Sequence, residues 1–123
     1  MDIEHLANRV IGMAIEVHRE LGPGLLESTY ETCLAHEITD HQIPFERQRP
    51  LPIRYKNILM ECGYRLDLVI DSKLLLEIKS VESLEKIHEA QILTYMKLGN
   101  FPLGLLINFN APTLKAGLRR FVI

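Results

Sequence analysis

The stretch from Tyr64 to Ser80 constrains this chain more than any other part of it. Tyr64, Leu66, Leu68 and Ile70 alternate with Arg65, Asp67 and Val69, a period of two that predicts a β-strand. Asp71-Ser72-Lys73 supplies a turn. Leu74 to Lys79 then resumes the alternation, with Leu74, Leu76 and Ile78 on one face and Leu75, Glu77 and Lys79 on the other. If Ile70 pairs with Leu74 across that turn, Asp67 lies directly opposite Glu77, and cross-strand partners leave the same face of a hairpin. Lys79, two residues beyond Glu77, points to that face as well.

Two facing carboxylates repel, so a fold keeps them cheaply only where a cation lies between them or water reaches them. Carboxylate and water oxygens suit Mg²⁺ or Mn²⁺. Such an ion would polarise a phosphodiester oxygen and acidify water. A lysine beside it can orient that water and stabilise the charge that develops on phosphorus. The (D/E)xK spacing alone is weak evidence, because average residue usage produces it about once per 140 positions. Asp71-Ser72-Lys73 is indeed a second match, lying in the turn. Glu77-Ile78-Lys79 is the better one, since it closes an apolar strand and faces Asp67. On the hairpin alone, a metal site and an ordinary surface ladder (Asp67 with Lys79, or Glu77 with Arg65) are evenly balanced.

The flanking segments predict further elements. Leu6, Val10, Met13, Val17 and Leu21 recur at spacings of three and four, one face of a helix that Gly22-Pro23-Gly24 ends. A second helix is expected from about Leu26 to Thr39, with Glu27, Tyr30 and Leu34 on one face. Ser28 and Glu31 fit a capping box, which would start it slightly later. Phe45 to Tyr55 reads as an extended edge strand, given Pro50 and Pro52. Lys56-Asn57 reads as a hairpin turn leading to a short strand at Ile58 to Met60. Ser83 can cap a third helix reaching about Leu98, with the stripe Leu84, His88, Gln91, Tyr95 and Leu98, and Gly99 to Pro102 stops it. Leu103 to Phe109 has the length and apolarity of a fully buried strand. A short turn or helix from Ala111 and a last strand at Arg120 to Ile123 follow. His18 and His88 read as packing or hydrogen-bonding residues.

Composition narrows the function. With 123 residues, 47% hydrophobic and 24% charged, residues 1–123 suit one globular domain. Cys33 and Cys62 show neither CxxC nor zinc-finger spacing and read as buried or free thiols in a reducing compartment. No basic-then-apolar leader and no bilayer-length apolar run occurs, so a cytoplasmic location without membrane contact is expected. A net charge of −2 argues against a general phosphate-coating protein, but not against a local basic rim. Candidate rim residues are Arg47, Arg49, Arg54 and Lys56, then Lys115, Arg119 and Arg120. Each taken singly reads equally well as solvated charge. His88-Glu89 lacks the second histidine of a zincin, Gly22-Pro23-Gly24 lacks the lysine of a phosphate loop, and no Gly-x-Ser-x-Gly elbow exists.

Four segments, two of them from the hairpin, carry a family resemblance. They are Val17 to Glu27, which holds Gly24, Glu27 and, just beyond, Tyr30; Tyr64-Arg65-Leu66-Asp67; Leu76-Glu77-Ile78-Lys79-Ser80; and Gln91-Ile92-Leu93-Thr94-Tyr95. Together they make nearly the whole chain resemble the GxxExxY proteins, a branch of the PD-(D/E)xK nuclease superfamily. The resemblance implies a restriction-endonuclease-like α/β fold, a mixed sheet flanked by helices in the order αβββαβ. It implies that Asp67 and Glu77 bind Mg²⁺ or Mn²⁺ with help from the Ile78 carbonyl, that Glu27 reaches the same cluster, and that Lys79 acts on the nucleophilic water. Gln91 and Tyr95 resemble the QxxxY motif of RecB-type nucleases, which lies beside the active site and contacts substrate. The implied activity is nucleic-acid hydrolysis, with DNA the expected substrate, and a homodimer is compatible with it. Two other readings stand beside it: a nucleic-acid-binding or protein-interaction module that kept the fold without turnover, and a structural domain whose charges are solvated.

Overall fold

The computed structural model describes all 123 residues. Two helices come first, α1 (Ile3–Leu21) and α2 (Glu27–Asp40). The strands β1 (Phe45–Pro50), β2 (Ile53–Tyr55), β3 (Ile58–Met60), β4 (Arg65–Ile70) and β5 (Leu74–Lys79) follow. Then come α3 (Lys86–Gly99), β6 (Leu103–Asn108), α4 (Leu114–Gly117) and β7 (Leu118–Val122). Five strands form one sheet in the order β1-β4-β5-β6-β7, and β2-β3 form a separate hairpin. Only β5 and β6 run parallel. Parallel neighbours cannot be joined by a tight turn, and α3 makes the crossover. The elements α2, β1, β4, β5, α3 and β6 reproduce the αβββαβ order of a restriction-endonuclease-like fold. To this order α1 is added at the front, the β2-β3 hairpin as an insertion, and β7 at the far edge.

Helices cover both faces of the sheet. On one side Leu6, Val10, Met13 and Val17 of α1 and Tyr30, Leu34 and Ile38 of α2 pack on Leu68, Ile70, Leu74, Leu76, Ile78, Leu103, Leu105 and Ile107. On the other, Ile92, Tyr95 and Met96 of α3 pack on Val69, Leu75 and Leu106. Strand β6 is buried along its whole length, as its unbroken apolar run requires. Each buried Leu or Ile contributes about 1.5–3 kcal/mol, and a slip of one residue would turn a whole strand's set to the wrong face. The observed register, Ile70 with Leu74 and Leu68 with Leu76, is the one the turn predicted.

The structure departs from the sequence reading in several places, each for a local reason. The predicted strand from Phe45 to Tyr55 is two strands in different sheets. The Leu51 N–H still donates to the Tyr64 carbonyl at 3.0 Å, one step beyond the Pro50–Arg65 pair of β1 and β4, and Pro52 then has no N–H with which to extend a ladder. Helix α2 starts at Glu27 with no side-chain cap, so Ser28 lies within the first turn and no capping box forms. The box forms on α3, where Glu85 and His88 cap each other, the Glu85 N–H donating to His88 Nδ1 at 3.0 Å; that helix therefore begins after Glu85 and not at Ser83. Leu21, the last residue of the α1 stripe, is exposed. His18 is buried as expected, its Nε2 2.9 Å from the Ala111 carbonyl.

The connection from α1 to α2 is held by one side chain. Gly22 and Gly24 turn it with φ of 70° and 101°, values open to glycine at little cost. The fully buried Tyr30 stacks on Phe109 with ring centroids 4.6 Å apart. Its hydroxyl donates to the Gly22 carbonyl at 2.6 Å and accepts from the Leu25 N–H at 3.1 Å. Removing that hydroxyl leaves both main-chain groups without their partner. Tyr30→Phe is expected to destabilise the protein by about 1–3 kcal/mol, read as a lower urea midpoint at unchanged m.

Candidate active site

The site is built where the β4-β5 hairpin stops being a regular ladder. Main-chain pairing runs from Ile70–Leu74 to Leu68–Leu76 and goes no further. Beyond it the Asp67 N–H donates to Glu77 Oε2 at 2.9 Å, and the Ile78 N–H donates to Asp67 Oδ2 at 2.8 Å. Two carboxylates thus stand in for main-chain carbonyls. The simple alternation predicted for β4 also fails here. Leu68 packs on the α1-α2 side while Leu66 packs on the α3 side, so the strand turns over at Asp67. On β1 the facing residue, Gln48, has a left-handed φ of 50°, and its Nε2 donates to Asp67 Oδ1 at 3.2 Å.

Burial acts strongly on these carboxylates. It is the largest influence on Glu77, and together with the charge of Asp67 it pushes the Glu77 carboxyl up to about 8, against the pull of the Asp67 N–H. Asp67 is also raised, first by burial and then by the charge of Glu31, against the Ile78 N–H. Tyr95 is raised by burial and by the nearby charge of Glu77, which keeps its hydroxyl protonated.

Two groups of side chains meet at this point. On the α2 side a cavity of about 470 Å³ is lined by Glu27, Ser28, Glu31, Gln48, Asp67 and Ile78. The N-terminal turn of α2 places Glu27, whose Oε2 accepts from the Ser80 N–H at 3.2 Å; Ser80 Oγ donates to the Leu25 carbonyl at 2.6 Å. On the α3 side Lys79 Nζ donates to Gln91 Oε1 at 3.3 Å, and Gln91 Nε2 donates to the Tyr95 hydroxyl at 3.1 Å. Tyr64 meets Tyr95 edge to face, with centroids 6.1 Å apart. The structure therefore joins Lys79, Gln91 and Tyr95 in one chain of contacts, and Asp67 and Glu77 in another.

Glu27 sits at the edge of this arrangement. No three acidic, histidine or cysteine side chains converge closely enough to form a ready metal-binding group. The reason is visible in the hydrogen bonds: Glu27, Asp67 and Glu77 each already hold a main-chain N–H. As a donor set they still suit a hard divalent ion. Glu77 Oε1 has no protein partner, yet no buried side-chain oxygen is left unsatisfied, so it reaches solvent.

Three residues of the site carried no readable signal in the sequence. Glu31 is buried, and its carboxylate accepts from Arg47 at 3.0 Å and Gln48 at 2.7 Å. Gln48 links Glu31 to Asp67. Asn108, also buried, accepts from the Val81 N–H at 3.1 Å and donates to the Val81 carbonyl at 2.9 Å, fixing the loop after Lys79. The basic residues do not form one rim. Arg47 is spent on Glu31, Arg120 pairs with Glu4, and Arg49 lies 3.8 Å from Glu46, while Arg54, Lys56, Lys115 and Arg119 make no ion pair.

An αβββαβ sheet with an Asp, a Glu and an x-Lys at the open end of its central hairpin defines the class of restriction-endonuclease-like nucleases. The comparison with known families agrees: residues 4–121 match the PD-(D/E)XK nuclease superfamily, and the chain belongs to it. No curated protein and no solved structure matches the chain.

The raised carboxyls have a consequence for stability. A carboxyl raised in the folded state stabilises the fold fully below its unfolded value, near 4.5 for Glu77, and that contribution is lost as pH rises through about 8. In EDTA, the melting temperature is expected to fall between those limits. Glu77→Gln, which cannot ionise, is expected to flatten the profile in the same scans.

Proposed function

We propose that residues 1–123 act as one nuclease domain of the GxxExxY branch, hydrolysing phosphodiester bonds in nucleic acid, with DNA the expected substrate. The observation that carries this reading is the pair of carboxylates on adjacent central strands, Glu77 buried and Asp67 half-buried, each accepting a main-chain N–H from the other's strand, with Lys79 two residues beyond Glu77. Asp67, Glu77 and the Ile78 carbonyl would hold Mg²⁺ or Mn²⁺, with Glu27 completing the set. Such an ion would supply Lewis-acid charge to the phosphoryl oxygens and make water more acidic.

The chain's own residues divide the remaining work. Lys79 donates one N–H hydrogen bond to Gln91 and has its other N–H groups to orient the attacking water and meet developing negative charge. Gln91 fixes the ammonium in place. Tyr95 accepts from Gln91, so its own hydroxyl proton is available to a substrate oxygen. Tyr30 acts at one remove by holding the turn that presents Glu27. A module without turnover is the second reading. It is favoured by the absence of a preassembled ligand set and by a Glu77 carboxyl that holds its proton near neutrality.

Cleavage separates the two. Purified protein is expected to cut labelled DNA with Mg²⁺ or Mn²⁺ and not with EDTA. Lys79→Ala is expected to lose roughly 10²–10³-fold in rate, the scale of removing one group that stabilises transition-state charge. Metal-independent cutting, or equal rates for both forms, refutes the assignment. For the ion itself, titration calorimetry with Mn²⁺ is expected to show weaker binding to Glu77→Gln at unchanged folding; identical affinity would remove Glu77 from the ligand set.

A further inference from the structure

The β2-β3 hairpin stands outside the main sheet, and every residue from Arg54 to Arg65 is exposed. From Arg49 to Arg65 the chain carries four cations, Arg49, Arg54, Lys56 and Arg65, against one acid, Glu61, although its net charge is −2. Arg54 pairs with Leu59 across the hairpin, so both side chains leave the same face. Beneath that face lies a groove of about 330 Å³ lined in part by Arg49, Arg54, Leu59, Leu66, Leu98 and Phe101. Arg49 extends over the Phe101 ring, 5.8 Å from its centroid, and Arg54 makes no ion pair.

The groove and the candidate site both draw residues from α3. Leu98 lies one helical turn beyond Tyr95 on α3, and Tyr95 lies one turn beyond Gln91. Leu98 is seven positions beyond Gln91, about 10 Å at the helical rise. Tyr64, half-exposed, touches both: its ring is edge-on to Tyr95, and its carbonyl accepts from the N–H of Leu51, which lines the groove. Cations, an apolar floor and an exposed ring therefore follow one another along a single face of α3, ending at Lys79.

We propose that this face binds one strand of nucleic acid, with a phosphate between Arg49 and Arg54 and a base stacked on Tyr64. The inference rests on the reading of the neighbouring site as one that acts on nucleic acid, and it adds the form of the substrate. A duplex covers the faces of its bases except at ends and flipped positions, so a stacking ring selects a single strand or a frayed end. A cationic groove that follows the backbone, with aromatic stacking beside it, is the general way proteins hold such strands.

Fluorescence anisotropy with labelled oligothymidylate, in EDTA so that no turnover occurs, tests this. Tyr64→Ala is expected to weaken binding about tenfold, the scale of one base on one ring, while Tyr64→Phe binds as the wild type does. Arg54→Gln is expected to reduce the slope of log affinity against log salt by about 0.7, the single-strand value for one released counterion. Unchanged affinity in Tyr64→Ala and an unchanged slope in Arg54→Gln overturn the proposal. So does a matching duplex that binds as tightly as the single strand. A third outcome also overturns it: self-association in sedimentation velocity that the same substitutions abolish, with no oligonucleotide bound, assigns the groove to a second copy of the chain. The nuclease reading fails separately. Wild-type protein that cuts in Mn²⁺ but binds independently of Tyr64 and Arg54 keeps the nuclease and loses the groove; binding that depends on them without any cutting does the reverse.

Discussion

Two hydrogen bonds, from the Asp67 N–H to Glu77 and from the Ile78 N–H to Asp67, determine how the open end of the central hairpin is built. Each charged acceptor contributes about 1.5–3 kcal/mol where it is ionised. The upward displacement of both carboxyls says that burial outweighs those bonds. The arrangement persists because the same two strands are zipped below it by fully buried residues, Leu68 against Leu76 and Ile70 against Leu74. A closed apolar half thus holds an open polar half in a geometry that the polar groups alone would not keep.

The rest of the site depends on that opening from two sides. Helix α2 brings Glu27 and Glu31 to one side, in a position set by the Tyr30 hydroxyl and its stack on Phe109. Helix α3 brings Gln91 and Tyr95 to the other, in a position set by Ile92 and Met96 against β5 and β6. Asn108, at the end of β6, pins the loop that leads from Lys79 toward α3.

Much of this was readable in the residues. The hairpin register followed from the turn at Asp71-Ser72-Lys73, since turn length fixes which residues of a hairpin face each other. The α1 stripe was legible from its helical spacing and the buried strand β6 from its unbroken apolar run. What escaped were features that depend on neighbours distant in sequence. Glu31 resembles a helix-capping residue until Arg47 and Gln48 arrive from β1. Gln48 looks like a solvated strand residue because no pattern announces a left-handed φ. Asn108 ends an apolar run and gives no sign that a loop 27 positions away needs both of its amide groups. The turnover of β4 at Asp67 is invisible in its own alternation, since it arises from the carboxylate partners on either side.

The substitution of carboxylates for carbonyls also makes two amides unusual. In a regular sheet, the protection of an N–H from solvent deuterium reports only how often the strands part. At Asp67 and Ile78 the acceptor is itself titratable. Their exchange rates are thereby tied to the protonation of the two carboxylates as well as to the opening of the fold, so these two main-chain groups report the charge state of the hairpin's open end.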